Sequence, residues 1–321
     1  MNEIKVAPSC TLGTNLPPRK NGGRFVRDMK KYGTLYIMAS AVVAFYILFH
    51  YIPMYGVLIA FQDFSVSKGI FGSEWVGFKH FVDFINNPYF LRVFVNTLRI
   101  SVTSLVFSFP IPIIFALLLN ELRGKLFPRF VQTIVYLPYF ISLVVVCGLV
   151  IKFTSSNGII NDIIAFFGGE RTTLLNYSSN FVPIYVISGI WQSMGWSSII
   201  YLAAITGVDH ELYDAATIDG ADRLRQIFHV TIPGIMPTVI VLLILAIGSL
   251  MVVGFEKIML LYNPITYETA DVISTFVYRK GILESSFSFS TAVGLFNSVI
   301  NFILLISANY ICKKLQGGGI W

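Results

Sequence analysis

The chain has 321 residues and a net charge of +6; it is 55% hydrophobic and only 12% charged. Water-soluble domains carry about twice that charged fraction, so the composition excludes an ordinary soluble globular protein. The basic excess calls for no nucleic acid, because basic flanks against anionic lipid headgroups account for it. The three cysteines, Cys10, Cys147 and Cys312, are too few and too scattered for a disulfide framework or a metal site.

Six stretches lack Asp, Glu, Lys and Arg altogether: 32–62, 100–120, 130–151, 172–208, 226–255 and 285–312. Each can hold a helix of about 20 residues, enough to cross the hydrocarbon layer. In lipid the backbone must satisfy its own hydrogen bonds, which favours helices. The short alternating segments of a β-barrel are absent. The predicted fold class is an all-α integral membrane protein with six transmembrane helices.

In chain order, residues 1–33 read as a disordered basic cytoplasmic tail. PPRKNGG at 17–23 is too polar and Pro/Gly-rich to bury a core. The first transmembrane helix falls in 34–60, with its span at about 34–56, and Pro53 kinks or ends it. It lies too far in and is too long for a cleaved signal peptide. An external segment follows at 61–91. Trp75, Phe78, Phe81, Phe84 and Ile85 recur there at helical spacing, which predicts a short helix lying in the membrane interface. A five-helix core is predicted over 92–312. Its span two lies at about 94–119 and is bent by Pro110 and Pro112. Span three lies at about 130–152, with Pro138 inside it. An external loop rich in turn formers covers 153–180. Span four lies at about 182–205, span five at 234–256 and span six at 290–311. The loop 257–289 is external, and 313–321 is a C-terminal tail.

Lys and Arg set the orientation. With the N-terminal tail inside, fourteen of them lie on the inner side and nine on the outer side. Short basic loops stay in the cytoplasm, so both termini and the 209–233 loop are expected there.

That loop, YDAATIDGADRLRQIFHVTIPGIMP over 213–237, is polar between two apolar runs. Asp209 is a good N-cap, and Glu211 sits where the helix dipole favours negative charge. A helix to about Ile218 is expected. Gly220, after Asp219, breaks it by accepting positive φ. A second helix starts near Ala221, shows an apolar face of Leu224, Ile227 and Phe228, and stops at Pro233. Small residues and a carboxylate on a rigid stub suit docking into a cleft of another protein.

The pattern resembles the EAA loop of ABC-importer permeases, in which EAA is followed by three residues, G, nine residues and I-x-LP. Asp214 stands where that family has Glu. Ala215, Ala216 and Gly220 match, Val230 replaces Ile, and Ile232-Pro233 replaces Leu-Pro. Asp for Glu shortens the carboxylate arm by one methylene. WVGFKHFVDF with NTLRIS resembles carbohydrate permeases, and FEKIMLLYNPITYETADVISTFVYRKG resembles their LplB-like branch, which handles oligosaccharides and polysaccharide fragments. The resemblance covers 34–312 and implies a type I (MetI-like) importer core of spans two to six with a cytoplasmic coupling helix. It further implies a second permease subunit, two ATP-binding cassette ATPases and an external solute-binding protein that delivers a carbohydrate. It places ATPase contact at Asp214, Ala215, Ala216, Asp219, Gly220, Ala221, Asp222, Ile232 and Pro233. The chain lacks the GxxxxGK[ST] phosphate loop. No cofactor is therefore expected in it, and ATP and Mg belong to the partner ATPase. The implied site of action is the bacterial inner membrane.

Aromatic rings and amides suit sugar, so Trp191, Gln192, Ser193 and Trp196 on span four are substrate-path candidates. Gln192 and Trp196 are four apart and share a face. Ser249, Phe255 and Glu256 on span five and Asn297 on span six join them. Against this, the tryptophans can serve as packing or interface anchors, Ser249 can bond its own helix, and Glu256 can be solvated beside Lys257. A secondary transporter would show an intramembrane carboxylate or broken matching halves. A membrane enzyme would cluster His, Asp or Glu, whereas His50, His80, His210 and His229 are scattered. No catalytic or metal-binding residue is therefore expected. A permease for a non-sugar solute stays open, because the loop does not specify cargo.

Overall fold

The computed structural model describes residues 31–122, 124 and 126–316. The expected tails at 1–30 and 317–321 lie outside the described residues. The chain divides into two units at Tyr55/Gly56.

The first unit contains helix α1 (Gly33–Tyr46) and the π-turn Ile47–Tyr51 that continues it. The rings of Phe45, Tyr46, Phe49 and His50 meet in tilted and edge-on contacts along this helix. Pro53 does not end it. The winding loosens to a π-turn just before the proline and then tightens to a 3₁₀ helix over Ile52–Phe61. Proline lacks the N–H for an α-type bond, and a change of winding keeps the chain helical without it.

The second unit opens with a two-residue hairpin, β1 (Gln62–Asp63) against β2 (Glu74–Trp75), and α2 (Lys79–Ile85). The interfacial helix expected across 75–90 is thus much shorter. Trp75 belongs to a strand, and the φ +62° bend at Gly77 separates it from the helix. Phe84 is the residue of that set that becomes buried, ringed by Phe90, Phe276, Phe289 and Phe296.

Span two is α3 (Phe90–Ser108) and α4 (Pro110–Glu121), joined at Phe109. Expected span three is two helices rather than one. α5 (Leu126–Tyr136) passes into a 3₁₀ turn at Leu137–Phe140. The chain is extended at Ile141, and α6 (Leu143–Thr154) starts anew from the Ser142 cap, whose hydroxyl accepts from the Val145 N–H. Pro138, which has no N–H to continue an α-helix, is buried in that 3₁₀ turn, and the span is broken there. α7 (Ile159–Phe166) follows. α8 (Ser178–Thr206) is the central helix and packs against α3, α4, α5 and α6. After the 209–233 loop come α11 (Ile232–Gly248), α12 (Phe255–Leu261), α13 (Tyr267–Ala270), α14 (Ile273–Tyr278) and α15 (Phe287–Gln316). The loop contributes α9 (His210–Ile218) and α10 (Arg223–Gln226).

Among the described residues five helical stretches are long and apolar enough to cross a membrane: Gly33–Phe61, Phe90–Glu121, Leu143–Phe166, Arg223–Gly248 and Phe287–Lys314. The expected sixth, α8, has the length but carries Gln192 and several serines, and it is not among them. Span five also shifts: its helix starts at Arg223 and ends at Gly248, so Phe255 and Glu256 sit on α12 instead.

Lipid tails are as apolar as leucine, so close backbone packing rather than hydrophobic transfer holds such helices together. Glycines supply that closeness. A Cβ at Gly195 of α8 would collide with the Val135 carbonyl of α5. One at Gly234 would lie 2.7 Å from Val208, and one at Gly248 would lie 2.5 Å from Leu305 of α15. Some buried polar groups pair between helices. Asp271, fully buried, accepts from Arg279 at 2.7 Å and Arg92 at 3.1 Å and takes the Thr275 hydroxyl at 2.8 Å.

Candidate functional site: a protruding helix–turn–helix and a serine-lined cleft

The 209–233 loop folds as its residues dictate. The Asp209 carboxylate accepts from the Glu211 N–H at 3.0 Å and starts α9. α9 ends after Ile218. Gly220 takes φ +76°, its N–H donates to Thr217 O at 3.1 Å, and the Ala221 N–H donates to Ala216 O at 2.9 Å. This is a Schellman closure, which needs a residue free to adopt positive φ. Asp222 then caps α10 by accepting from the Arg225 N–H at 2.9 Å.

The stub is tied down at three points. Gln226 Nε2 donates to Thr217 Oγ1 at 3.0 Å. The Tyr213 and Thr231 hydroxyls meet at 3.0 Å. Arg223 pairs with Glu121, at the end of α4, at 3.0 Å. Asp214, Ala215, Asp219, Gly220 and Asp222 remain exposed, Ala216 and Ala221 are half-buried, and Leu212 and Ile218 add exposed apolar surface. A hollow of about 710 Å³ lies beside the stub, lined by Asn120, Glu121, His210, Tyr213, Thr217 and Arg223 among others.

The stub does not stop at Pro233. α10 runs through a π-turn at Ile227–Thr231 directly into α11. The Ile232 N–H reaches back to Ile227 O, and the widened turn accommodates the proline that follows. Ile232 and Pro233 are therefore interior helix positions.

The substrate-path candidates do not share one site. Two adjoining hollows of about 310 and 240 Å³ lie between α3, α8 and the chain leaving α11, with Ser104, Ser108, Tyr185 and Ser193 common to both. Ser193 and Ser249 line the larger hollow and Gln192 the smaller. Ser249 Oγ also bonds back to Leu245 O and Ala246 O at 3.2 Å. Trp191 faces elsewhere, into an apolar hollow of about 400 Å³ against α6 and α7. Trp196 stacks on Tyr139 at 4.7 Å, with Phe140 edge-on. Phe255 lines a separate hollow with Tyr278 and Phe287. Glu256 is exposed, whereas neighbouring Lys257 is 7% exposed and lines the smaller serine-rich hollow. The two do not share a solvated surface. Asn297 Nδ2 donates to Met251 O at 3.3 Å, and Asn301 Oδ1 accepts from the Met251 N–H at 2.8 Å. One turn apart on α15, they bracket the irregular chain after α11.

Sequence reasoning missed Ser101, Ser104, Ser108, Tyr185, Ser197 and Lys257. The spacing of Ser101, Ser104 and Ser108 on an otherwise apolar span was the available signal, since positions i, i+3 and i+7 share a helix face.

Apolar spans, an open serine-lined cleft between helices and a rigid stub on a connecting loop define a membrane permease. The chain belongs to the family described as binding-protein-dependent transport system inner membrane component, whose pattern matches residues 108–317. It is 46% identical to the polygalacturonan/rhamnogalacturonan transport system permease protein YteP of Bacillus subtilis (strain 168), over 89% of this chain and 90% of that protein. It is 44% identical to protein LplB of the same strain, over 98% and 97%. Among solved structures it resembles a chain of a bacterial ABC transporter involved in import of the acidic polysaccharide alginate. The TM-score is 0.84 and the identity 42%, over 91% of this chain and 99% of that one. A second structure of the bacterial alginate transporter, in complex with an alginate pentasaccharide-bound periplasmic protein, matches with TM-score 0.85 and 41% identity over 92% and 100%.

Proposed function

We propose that this chain is the permease subunit of an ATP-driven ABC importer and that its cargo is a carbohydrate, an oligosaccharide by class. The observation that carries the reading is similarity along nearly the whole chain to a polysaccharide-fragment permease and to a chain of an alginate importer. A second permease subunit completes the pathway. Two ATPases bind ATP and Mg, and an external solute-binding protein delivers the sugar. The chain has no ATPase site of its own. Both termini and the 209–233 loop face the cytoplasm of a bacterial cell, across its inner membrane.

In this mechanism no covalent chemistry falls to the permease. The ATPase dimer closes on ATP, and the stub carries that motion into the spans. Transport requires that the two ATPase states favour different arrangements of the spans. Asp214, Ala215, Ala216, Asp219, Gly220, Ala221 and Asp222 form the contact. Ile232 and Pro233 link it to α11 without a joint, so a push on α9 moves the span rather than bending a hinge. Ser193, Gln192 and Ser249 offer hydroxyl and amide groups to sugar in the cleft, whereas Trp191, Trp196, Phe255 and Glu256 lie outside its lining and Asn297 holds the chain at Met251.

The test is purification in detergent, with and without scrambling of 214–221. Co-purification of an ATPase that the scramble releases supports the reading. Absence of any ATPase under conditions that preserve the membrane complex would overturn it.

A further inference from the structure

Lys257 is an anomaly among the charges of this protein. Its side chain is buried at 7% exposure, yet among the described residues it forms no ion pair. The other buried charge, Asp271, has two arginines. The Lys257 ammonium donates to the Tyr185 carbonyl at 2.9 Å and sits 4.8 Å from the centre of the Tyr185 ring. An ammonium has three N–H donors, and those contacts engage one of them. Gly189 leaves the space the group occupies, since a Cβ there would lie 3.2 Å from Nζ. Burial lowers its pKa from the usual lysine value to about 8, so it stays largely protonated at neutral pH.

Its surroundings supply sugar-binding chemistry. The hollow it lines also presents Gln192, Ser193, Ser104 and Ser108. In the adjoining hollow, Ser101 is 6% exposed and its Oγ has no hydrogen-bond partner among the described residues. A buried cation without a counter-charge is costly. A passing anion offsets that cost, and the cation in turn lowers the barrier that a low-dielectric passage raises against the anion. Hydroxyls read the sugar ring, and the ammonium reads the carboxylate.

Resting on the proposed carbohydrate function, we infer that Lys257 is a carboxylate-recognition point in the translocation cleft, and that the cargo is an acidic, uronate-containing oligosaccharide. Neither the serines nor the tyrosine would distinguish a uronate from a neutral sugar; the ammonium does.

The experiment uses the assembled complex purified without its solute-binding protein, so that the binding protein's own selectivity drops out. Saturation-transfer NMR reads binding of galacturonate and mannuronate trisaccharides and of their carboxyl-reduced, neutral counterparts. The variants are Lys257→Met, which removes charge at similar length, and Lys257→Arg, which keeps it. The expected result is that Lys257→Met weakens uronate binding at least fivefold and leaves the neutral sugars within twofold, while Lys257→Arg retains uronate binding. Unchanged uronate binding in Lys257→Met overturns the inference. So does equal loss of acidic and neutral sugars, which marks a packing role. If the unaltered complex binds neutral sugars and no uronate, the inference fails while the carbohydrate reading stands. If it binds neither, both fail.

Discussion

The Tyr213 hydroxyl lies 3.0 Å from the Thr231 hydroxyl, joining the middle of the protruding helix to the π-turn that opens the next span. Thr231 is 2% exposed, so water does not compete for this bond. The joint is worth about 1 kcal/mol, the usual net value of a hydrogen bond. Tyr213→Phe keeps the ring packing and removes the bond. The expected outcome is normal insertion with fewer sugar molecules moved per ATP hydrolysed, measured in proteoliposomes containing the whole importer. An unchanged ratio would show that the joint carries no motion.

Gly220 is held at φ +76°, and nothing lies within 4 Å of where its Cβ would be. Substitution there is a backbone problem alone. Gly220→Ala costs about 1–2 kcal/mol. Gly220→Pro cannot adopt the angle and also removes the N–H given to Thr217 O. Uptake at matched expression should fall mildly in the first and be abolished in the second, with both chains still inserted. A bulky residue at Ala216 should uncouple in the same way. Full ATP-driven uptake by the proline variant would remove the docking role from this turn.

Asp271 has its carboxylate buried between Arg92 and Arg279. Asp271→Asn keeps the shape and strands two guanidinium groups, a change of about 3 kcal/mol or more. Thermal unfolding in detergent should show a drop of several degrees. A drop of less than one degree would mean that water already screens the cluster.

Two glycines on neighbouring helices make a matched pair of tests. Gly195→Ala drives a methyl into the Val135 carbonyl, whereas Gly148 on α6 has open space around its Cβ position. The first should lower stability by about 1–3 kcal/mol, and Gly148→Ala should stay within about 0.5 kcal/mol. Equal effects would mean that α5 and α8 can separate without cost.

The loop was legible in the sequence because its determinants are local. Asp209, Gly220 and Asp222 each act on backbone within three or four residues, and each acts as its chemistry dictates. Prolines were less legible. Pro53 and Pro233 sit in helices that rewind around them, while Pro138 ends one. The difference lies in the winding around them: π-turns precede Pro53 and Pro233, while Pro138 sits in a 3₁₀ turn that gives way to extended chain. The cleft was harder still. Gln192 and Trp196 share a helical face by spacing, yet one lines the serine-rich hollow and the other stacks on Tyr139, because the 3₁₀ turn Leu137–Phe140 covers only part of that face. Lys257 looked like a solvated neighbour of Glu256. Only the fold buries one and exposes the other.

The π-turn at Ile227–Thr231 holds one more residue than an α-helical turn would. Each residue of an α-helix advances about 100° around the axis. Removing any one residue from 227–231 would restore ordinary winding and leave the 209–226 stub on nearly the same heading, because the widened turn already absorbs the extra residue. Asp214 and Ala215 would keep their present direction. One residue fewer in the regular part of α11 would instead swing the stub by roughly 100°. A change of length is thus tolerated in this turn, whereas Thr231 within it must keep the hydroxyl that Tyr213 meets.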